Sequence, residues 1–303
     1  MEIGGTKIQV GIGTSHGELM KVMRRMVNQK EGAHGIRKNI LSMLEEVLDS
    51  TNHRFSDIEK IGIGFGGPVE ANDGIVIKSY QIGGWDNFPL KEWSETQWGK
   101  PVIVQNDADT AGLAESIHGS GRDYSRVFYA TLGSGVGGGW IVNKKIDNGQ
   151  GFGAAEIGHT FVPDPTNGRP TELEQICSGW SIGRRARLAA ENTNSLMIRM
   201  AGSLERIDAK TVYSAAEAGD EIAGRILNET CRTLGIAISN VIALLHPERV
   251  IIGGGVSLMG PLFWDTLRNE VRIRAMPAFL SRTDVVKAEL GEEVVVIGAL
   301  CLE

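Results

Sequence analysis

Two glycine-rich segments are the residues of this chain best suited to bind a phosphate group. They read Glu2-Ile3-Gly4-Gly5-Thr6-Lys7 and Thr131-Leu132-Gly133-Ser134-Gly135-Val136-Gly137-Gly138-Gly139. Glycine has no Cβ and tolerates positive φ, so the backbone of such a turn can approach a ligand and direct its N–H groups at an anion. Strand-like alternation follows each segment, which is equally typical of a tight β-hairpin. Taken singly, each segment favours the hairpin.

Neither glycine segment fits a common nucleotide motif. The chain contains no G-x-x-x-x-G-K-[ST], and strand-like sequence follows the glycines, not the helix that a dinucleotide fingerprint requires. A phosphate-binding role therefore needs a different architecture. Because the two segments lie about half a chain apart, we expect two lobes that hold one phosphate chain between them.

Asn106 and Asp107 form the first polar pair that could take part in catalysis. They follow a strand-like run at 101–105, and a helix is predicted to begin near Ala108. Ligands of open α/β sheets lie beyond the carboxyl ends of the strands, where Asp107 could act as a general base. Asp107 or Asp109 could instead cap the helix, which is the commoner use of Asp at such a place. Position alone favours the cap.

A second polar group consists of Glu156, His159 and Glu174. Carboxylates, amides and imidazoles are natural partners for the hydroxyl groups of a sugar, which both donate and accept hydrogen bonds. The alternatives are an ordinary surface or core histidine, a solvated helix face, and carboxylates paired with nearby arginines such as Arg169 or Arg184. Each alternative is favoured when its residue is taken alone.

Hydrophobic periodicity predicts the elements that must position these groups. We expect strands at 8–13, 19–27, 61–65, 101–105, within 127–146 and at 249–253, and helices at 33–50, 176–190, 208–218, 220–245 and 260–274. The strand, hairpin and helix pattern of the first half recurs in the second. A duplicated α/β fold with a cleft between its lobes is therefore predicted.

Composition narrows the class of protein. The 303 residues carry a net charge of -6, which argues against nucleic acid or an anionic membrane as the main partner. The three cysteines are far apart and are typical of reduced thiols. No apolar run is long enough to span a bilayer, and the N-terminus lacks a signal-peptide core. We expect a cytoplasmic protein.

Seven motifs in order give the chain an end-to-end resemblance to the ROK family of bacterial sugar kinases and repressors. The first segment resembles the family's D-I-G-G-T-K phosphate loop, and the second is close to T-L-G-T-G-V-G-G-G. The other five are Gly64-Phe65-Gly66-Gly67-Pro68-Val69, Gln81-Ile82-Gly83-Gly84-Trp85, Asn106-Asp107-Ala108, Glu156-Ile157-Gly158-His159 and Ile251-Ile252-Gly253-Gly254-Gly255-Val256. They resemble G-x-x-G-P-V, the sugar loop N-L-x-G-W, E-N-D-A, G-E-x-G-H and the I-G-G-G nucleotide segment.

The resemblance implies an actin/hexokinase-like fold of the ribonuclease H type and ATP-dependent, Mg²⁺-assisted phosphorylation of a glucose-like hexose at its primary hydroxyl. Residues 1–118, completed by 291–303, would form the small lobe, and residues 119–290 the large lobe. Asp107 would be the catalytic base. The sugar would contact Gly67, Gln81, Asn106, Asp107, Glu156, His159 and Glu174. The nucleotide would contact Gly4, Gly5, Thr6, Lys7, Thr131, Gly133, Ser134, Gly135, Gly137, Gly254 and Gly255.

The chain departs from the family pattern at four places. The family's zinc motif is a His followed by C-x-C-G-x-x-G-C, but residues 160–172 contain no cysteine, so no zinc or other protein-held metal is expected. Glu2 replaces an Asp, and Gln81 replaces an Asn in the sugar loop. The chain also begins almost on the phosphate loop, so the first strand is short or the true start lies upstream.

Other functions of the family stay open. An N-acetylglucosamine or N-acetylmannosamine kinase and a catalytically weak sugar sensor are the alternatives. A repressor is disfavoured, because repressors of this family carry a helix-turn-helix domain before the phosphate loop and this chain is acidic. We further expect a homodimer whose ligands are the hexose and ATP.

Overall fold

The computed structural model describes residues 1–303, which divide into two compact units. The first unit comprises Met1–Tyr129, Gly139–Ala155 and Glu289–Glu303, and the second comprises Ala130–Gly138 and Glu156–Ala288. The C-terminal segment thus belongs to the first unit. That unit also holds residues 119–129 and 139–155, which lie beyond the lobe boundary predicted from the sequence.

The first unit is built on a five-stranded sheet with helices around it. Its elements are β1 (Glu2–Ile3), β2 (Lys7–Gly13), β3 (Leu19–Met26), α1 (Gly32–Thr51), β4 (Ile61–Phe65), β5 (Val69–Glu70), β6 (Ile75–Val76), β7 (Phe88–Pro89), α2 (Leu90–Trp98), β8 (Val102–Asn106) and α3 (Asp107–Ile117). The sheet order is β3-β2-β1-β4-β8, and β5, β6 and β7 form a separate small sheet.

The register of the central strand fixes where the first glycine segment lies. Strand β1 pairs antiparallel with β2, through Glu2 and Gln9, and parallel with β4, through Ile3 and Phe65. Strand β4 in turn pairs parallel with β8, so that Phe65 lies opposite Asn106. The carboxyl ends of β1, β4 and β8 therefore meet at one edge of the sheet, beside the glycine turn.

The apolar stripe of α1 explains why that helix covers the sheet. Residues such as Ile36, Ile40 and Met43 are spaced three or four apart, so they share one helical face. That face is buried in one hydrophobic core with Ile8 and Val10 of β2. Helix α1 ends at Asn52, which has φ of 56°.

A second five-stranded sheet has the order β11-β10-β9-β14-β15. Its strands are β9 (Arg126–Leu132), β10 (Val136–Val142), β11 (Lys145–Ile146), β14 (Arg249–Gly253) and β15 (Asp284–Lys287). The remaining elements are the hairpin β12 (Phe161–Pro163) and β13 (Pro170–Glu172) and the helices α4 (Glu174–Cys177), α5 (Gly179–Ala190), α6 (Leu196–Ala201), α7 (Ala209–Glu217), α8 (Glu221–Leu245), α9 (Pro261–Arg272), α10 (Pro277–Leu280) and α11 (Val294–Leu300).

Helix α8 is the central helix of the second unit. The Asp220 carboxylate caps its N-terminus by accepting from the Ala223 N–H, and His246 with φ of 44° ends it. Its inward face buries Ile226, Leu234 and Ile238. Parallel pairing of β14 with β15 completes this side of the unit.

Most of the predicted regular elements are present, but the helix expected at 176–190 is interrupted at Ser178, whose extended backbone separates α4 from α5. Helix α8 coincides with the predicted 220–245, and β2 pairs antiparallel with β3 as expected. The three cysteines are free thiols, as expected from their spacing, and the structure shows that all three are buried. None of the helices combines the length and the apolar character needed to cross a membrane.

Candidate active site

The first glycine segment forms the turn between β1 and β2. The Gly4 N–H donates to the Lys7 carbonyl at 3.1 Å, and the Thr6 carbonyl accepts from Val27 at 2.8 Å. The N–H groups of Gly5 and Thr6 have no acceptor in the protein. The turn is thus a hairpin connection, as its sequence also indicated, and it still carries two free donors for an anion.

The charged residues that flank this turn compensate each other. The Lys7 ammonium lies 3.4 Å from the Glu2 carboxylate and donates to the Glu292 carbonyl at 3.2 Å. The Gln9 amide donates to the same Glu2 oxygen at 2.6 Å and to the Glu292 carbonyl at 3.0 Å. Lys7 is therefore a neutralising partner of Glu2, and its ammonium is already engaged within the protein.

Asn106, not an aspartate, caps helix α3. Its side-chain oxygen accepts from the N–H groups of Ala108 at 2.7 Å and Asp109 at 3.3 Å, and its amide donates to the Gly67 carbonyl at 3.0 Å. The expectation that Asp107 or Asp109 serves as the cap is wrong. The preceding strand directs Asn106 toward the free N–H groups, which leaves Asp107 as the first residue of the helix.

Asp107 lies next to the first glycine turn. Its Oδ2 atom is 3.3 Å from the position that a Cβ on Gly66 would take, and that position is 3.5 Å from the Gly4 Cα. The parallel strands β1, β4 and β8 bring these three residues together because their carboxyl ends coincide. A half-buried carboxylate thus adjoins a turn with free N–H donors.

The predicted sugar loop is held firmly behind the same turn. Ile82 and Trp85 are buried, and the Gly83 carbonyl accepts from the Ala33 N–H at 3.0 Å. Directly before these anchors, the side chain of Gln81 lies against Gly5, whose Cβ, if present, would be 2.7 Å from the Gln81 Cβ and closer still to the Gln81 Oε1 atom. A side chain at residue 5 would therefore displace the side chain of Gln81.

The second glycine segment connects β9 and β10, with Thr131 near the end of β9 and Gly137 within β10. The Gly133 N–H donates to the Gly135 carbonyl at 2.9 Å, and the Gly133 carbonyl accepts from Gly179 at 2.8 Å. The Glu174 carboxylate accepts from the Val136 N–H at 2.8 Å. Because Glu174 occupies that donor, an anion at this turn is left with the N–H groups of Ser134 and Gly135.

A cavity of about 460 Å³ opens beside the second turn. Its lining includes Gly133 and Ser134 of the second glycine segment and Gly255 and Val256 of the third. The other lining residues were marked by no sequence motif: Gly179, Trp180, Gly183, Arg187, Asp208, Ala209 and Lys210. The N-terminus of α5 begins here, and its partial positive charge favours an anionic ligand. Trp180, 76% exposed, offers an aromatic face.

Gly254 places the third glycine segment next to the second turn. It has φ of 80°, and a Cβ there would lie 2.5 Å from the carbonyl carbon and oxygen of Leu132. Gly255 has open space around it and faces the cavity. The end of β14 can therefore approach the second turn only because residue 254 lacks a side chain.

Glu156, His159 and Glu174 form one electrostatic group within the second unit. Loss of surrounding water raises the pKa of Glu156, while His159 lowers it and Glu174 raises it. Neither glutamate pairs with Arg169 or Arg184, so the ion-pair alternative is wrong for both. Ala155 has φ of 64°, which explains why the resembled motif has glycine there.

A self-closed hairpin occupies the place of the family's zinc motif. Strands β12 and β13 pair antiparallel, and the Asp164 carboxylate accepts from the Thr166 N–H at 2.7 Å to close the loop. Across the hairpin, the His159 Nδ1 atom lies 3.5 Å from the Glu172 carboxylate. No group of three or more His, Cys, Asp or Glu side chains is arranged to hold a metal ion.

A family model described as the ROK family matches residues 1–303. The chain belongs to the ROK family. It is 34% identical to a glucokinase of Halalkalibacterium halodurans, over 98% of this chain and 92% of that protein. It is 29% identical to a β-glucoside kinase of Listeria monocytogenes, over 96% of this chain and 92% of that one.

Solved structures of ROK proteins share the fold. The crystal structure of a ROK family glucokinase from Streptomyces griseus in complex with glucose and AMPPNP aligns with a TM-score of 0.84 and 31% identity, covering 99% of this chain and 96% of that chain. This chain accordingly has the actin/hexokinase-like α/β fold of the family, which confirms the fold class expected from the motifs.

Proposed function

We propose that this ROK-family chain is an ATP-dependent kinase that phosphorylates glucose at its primary hydroxyl. Sugar kinase activity in general is supported by family membership and by the glucokinase relative at 34% identity. The main observation behind the proposal is that the Asp107 carboxylate lies beside the first glycine turn, while Asn106 caps helix α3. A carboxylate that is not needed as a cap can serve as a base.

In the proposed mechanism, Asp107 accepts the proton of the sugar hydroxyl as that oxygen attacks the terminal phosphoryl group of ATP. The N–H groups of Gly5 and Thr6 donate to phosphate oxygens. Phosphoryl transfer depends mainly on positioning and on stabilisation of charge, so a base and two fixed donors at one sheet edge suit it. Within the second unit, the cavity beside Gly133, Ser134 and Gly255 is the candidate nucleotide pocket.

The residues at the first turn fit a magnesium ion. Mg²⁺ is commonly held by one or two carboxylates together with substrate phosphates and water, and it does not need a protein cage. The Glu2 Oε1 atom lies 3.9 Å from the Cβ position of Gly4, while its Oε2 atom is engaged by Gln9 and Lys7. Glu2 and Asp107 would hold such an ion through water, and it would supply neutralisation of the phosphate charge.

Recognition of the sugar ring is assigned to Glu156, His159 and Glu174. Their charges interact, and Glu172 lies against the His159 Nδ1 atom, which leaves Nε2 for a hydroxyl group. Glu174 keeps one carboxylate oxygen outside its bond to Val136. These three side chains therefore offer acceptors and a donor for neighbouring hydroxyls.

A sugar panel with ATP and Mg²⁺ tests the function. We expect the highest kcat/KM with glucose, and a kcat lower by about 10²- to 10⁴-fold in Asp107→Asn. Faster turnover of N-acetylglucosamine or N-acetylmannosamine would replace the proposed substrate with the alternative. Absence of turnover with every sugar, together with calorimetric binding of one of them, would identify a sensor.

We also propose that the chain forms a homodimer. The second unit exposes the apolar side chains of Leu258, Ile273 and Met276, at 67%, 58% and 50% of their surfaces. Apolar surface of this kind is commonly covered by a partner. Light scattering coupled to size exclusion should give twice the mass of 32.7 kDa.

A further inference from the structure

Gln81 presents an amide group that has no hydrogen-bond partner in the protein. Its side chain lies across Gly5, so closely that a Cβ on Gly5 would overlap the Gln81 Oε1 atom, while the Nε2 donor is not among the three atoms nearest to that position. The backbone of Gln81 is held by buried neighbours, since Ile82 and Trp85 are 3% and 1% exposed. The Ser79 hydroxyl also accepts from the Ile82 N–H at 3.2 Å. An exposed, uncommitted amide thus lies over the first glycine turn.

The position of Asp107 identifies which part of ATP must lie at this turn. If Asp107 activates the attacking hydroxyl, the phosphoryl group that is transferred must lie within bonding reach of that hydroxyl. Asp107 adjoins Gly66 and Gly4. The terminal phosphate of ATP must therefore lie next to the turn that Gln81 covers, and the inner phosphates must lie further away.

We propose that the Gln81 amide donates a hydrogen bond to the terminal phosphoryl group of ATP and does not bind the sugar, the role that its sequence motif implied. The proposal rests on the proposed kinase function. The cationic side chain at this turn, Lys7, is engaged by Glu2 and Glu292, so Gln81 is the side-chain amide available to that phosphate. Because the Gln81 amide is neutral, it also leaves the ion pair between Glu2 and Lys7 unchanged.

Replacement of Gln81 by glutamate separates a phosphate contact from a sugar contact. A glutamate side chain at this position would have nearly the same shape but no N–H donor, and its carboxylate would repel a phosphate. A carboxylate is a good partner for a sugar hydroxyl, so a sugar contact would tolerate this change. If Gln81 contacts the phosphate, Gln81→Glu should therefore bind the ATP analogue more weakly than Gln81→Ala does. If Gln81 contacts the sugar, Gln81→Glu should bind the sugar more tightly than Gln81→Ala does.

Binding of a non-hydrolysable ATP analogue and of ADP, both with Mg²⁺, should be measured by calorimetry in wild type, Gln81→Ala and Gln81→Glu. Removal of one hydrogen bond to a charged group lowers binding affinity by about 10- to 100-fold. We expect this loss for the ATP analogue in Gln81→Ala, a larger loss in Gln81→Glu, and ADP affinity unchanged within about twofold in both. Gln97→Ala, at an exposed position of α2, is the matched control and should leave both affinities unchanged.

Steady-state kinetics with the best sugar complete the test. In Gln81→Ala we expect kcat/KM for ATP to fall and the KM for the sugar to stay within about twofold of wild type. A rise in the sugar KM with unchanged ATP-analogue affinity would overturn the proposal, as would equal losses for the ATP analogue and ADP. Because the calorimetry needs no turnover, it judges Gln81 even if every sugar fails as a substrate and the kinase function is rejected.

Discussion

Asp107 and Asn106 are adjacent in sequence, yet the structure predicts that their substitutions affect different properties. Asp107→Asn removes a general base, a group that typically contributes about 10²- to 10⁴-fold, so kcat should fall by that factor, equivalent to about 3–5 kcal/mol in the activation barrier. The cap and its three hydrogen bonds belong to Asn106 and stay in place. The free energy of unfolding should change by less than about 2 kcal/mol, which is the upper value for a partly buried charge at a helix N-terminus.

Asn106→Ala provides the matched contrast. Loss of an N-cap costs about 0.5–2 kcal/mol, and loss of the bond to the Gly67 carbonyl costs about 0.5–1.5 kcal/mol. The free energy of unfolding should therefore fall by about 1–3.5 kcal/mol. Denaturant unfolding and an assay of ADP release measure both properties on each variant. If Asp107→Asn keeps near-wild-type kcat, or destabilises the protein as much as Asn106→Ala does, Asp107 is structural and the assignment of the base is wrong.

Three further outcomes are expected. Because solvent exclusion raises the pKa of Glu156, its carboxylate becomes protonated at a higher pH than that of an ordinary glutamate, and the sugar KM of the wild type should rise as the pH falls through this pKa. In Glu156→Gln, which cannot titrate at this position, the sugar KM should not change over the same pH range. A pH dependence as steep as that of the wild type would contradict the assignment. Gly254→Ala should lower stability by more than about 2 kcal/mol, since its φ is 80° and its Cβ would meet Leu132, and Gly255→Ala, in open space, should not. Elemental analysis should detect no stoichiometric zinc, and zinc chelators should leave activity intact once Mg²⁺ is resupplied, because residues 160–172 lack cysteine; about one zinc per chain would refute this.

Local patterns in the sequence were sufficient to predict most of the regular elements. The apolar residues of α1 and α8 have helical spacing, and Ile61–Phe65 is a short apolar run typical of a strand. In each case the local spacing of apolar residues indicates both the type of element and its buried face. The order of the glycine segments and of Asn106-Asp107 likewise indicated the family, because such motifs are contiguous along the chain.

The sequence did not indicate which of two adjacent polar residues caps α3, because either type can do so and the choice depends on the direction in which β8 delivers the chain. It also did not reveal that Glu174 occupies the Val136 N–H, or that Gln81 lies on Gly5. These contacts join residues that are 38 and 76 positions apart, so no local pattern records them.

The sequence by itself determined the family, the α/β class and the set of polar and glycine residues from which a site can be built. Only the tertiary structure decided which donors remain free at each glycine turn, and which carboxylates are already engaged. The physical reason is that a hydrogen-bonding group can serve a ligand only if the fold has not satisfied it. That depends on neighbours brought together by strand register, as Gln9 is beside Glu2, and by close backbone approach, as at Gly254.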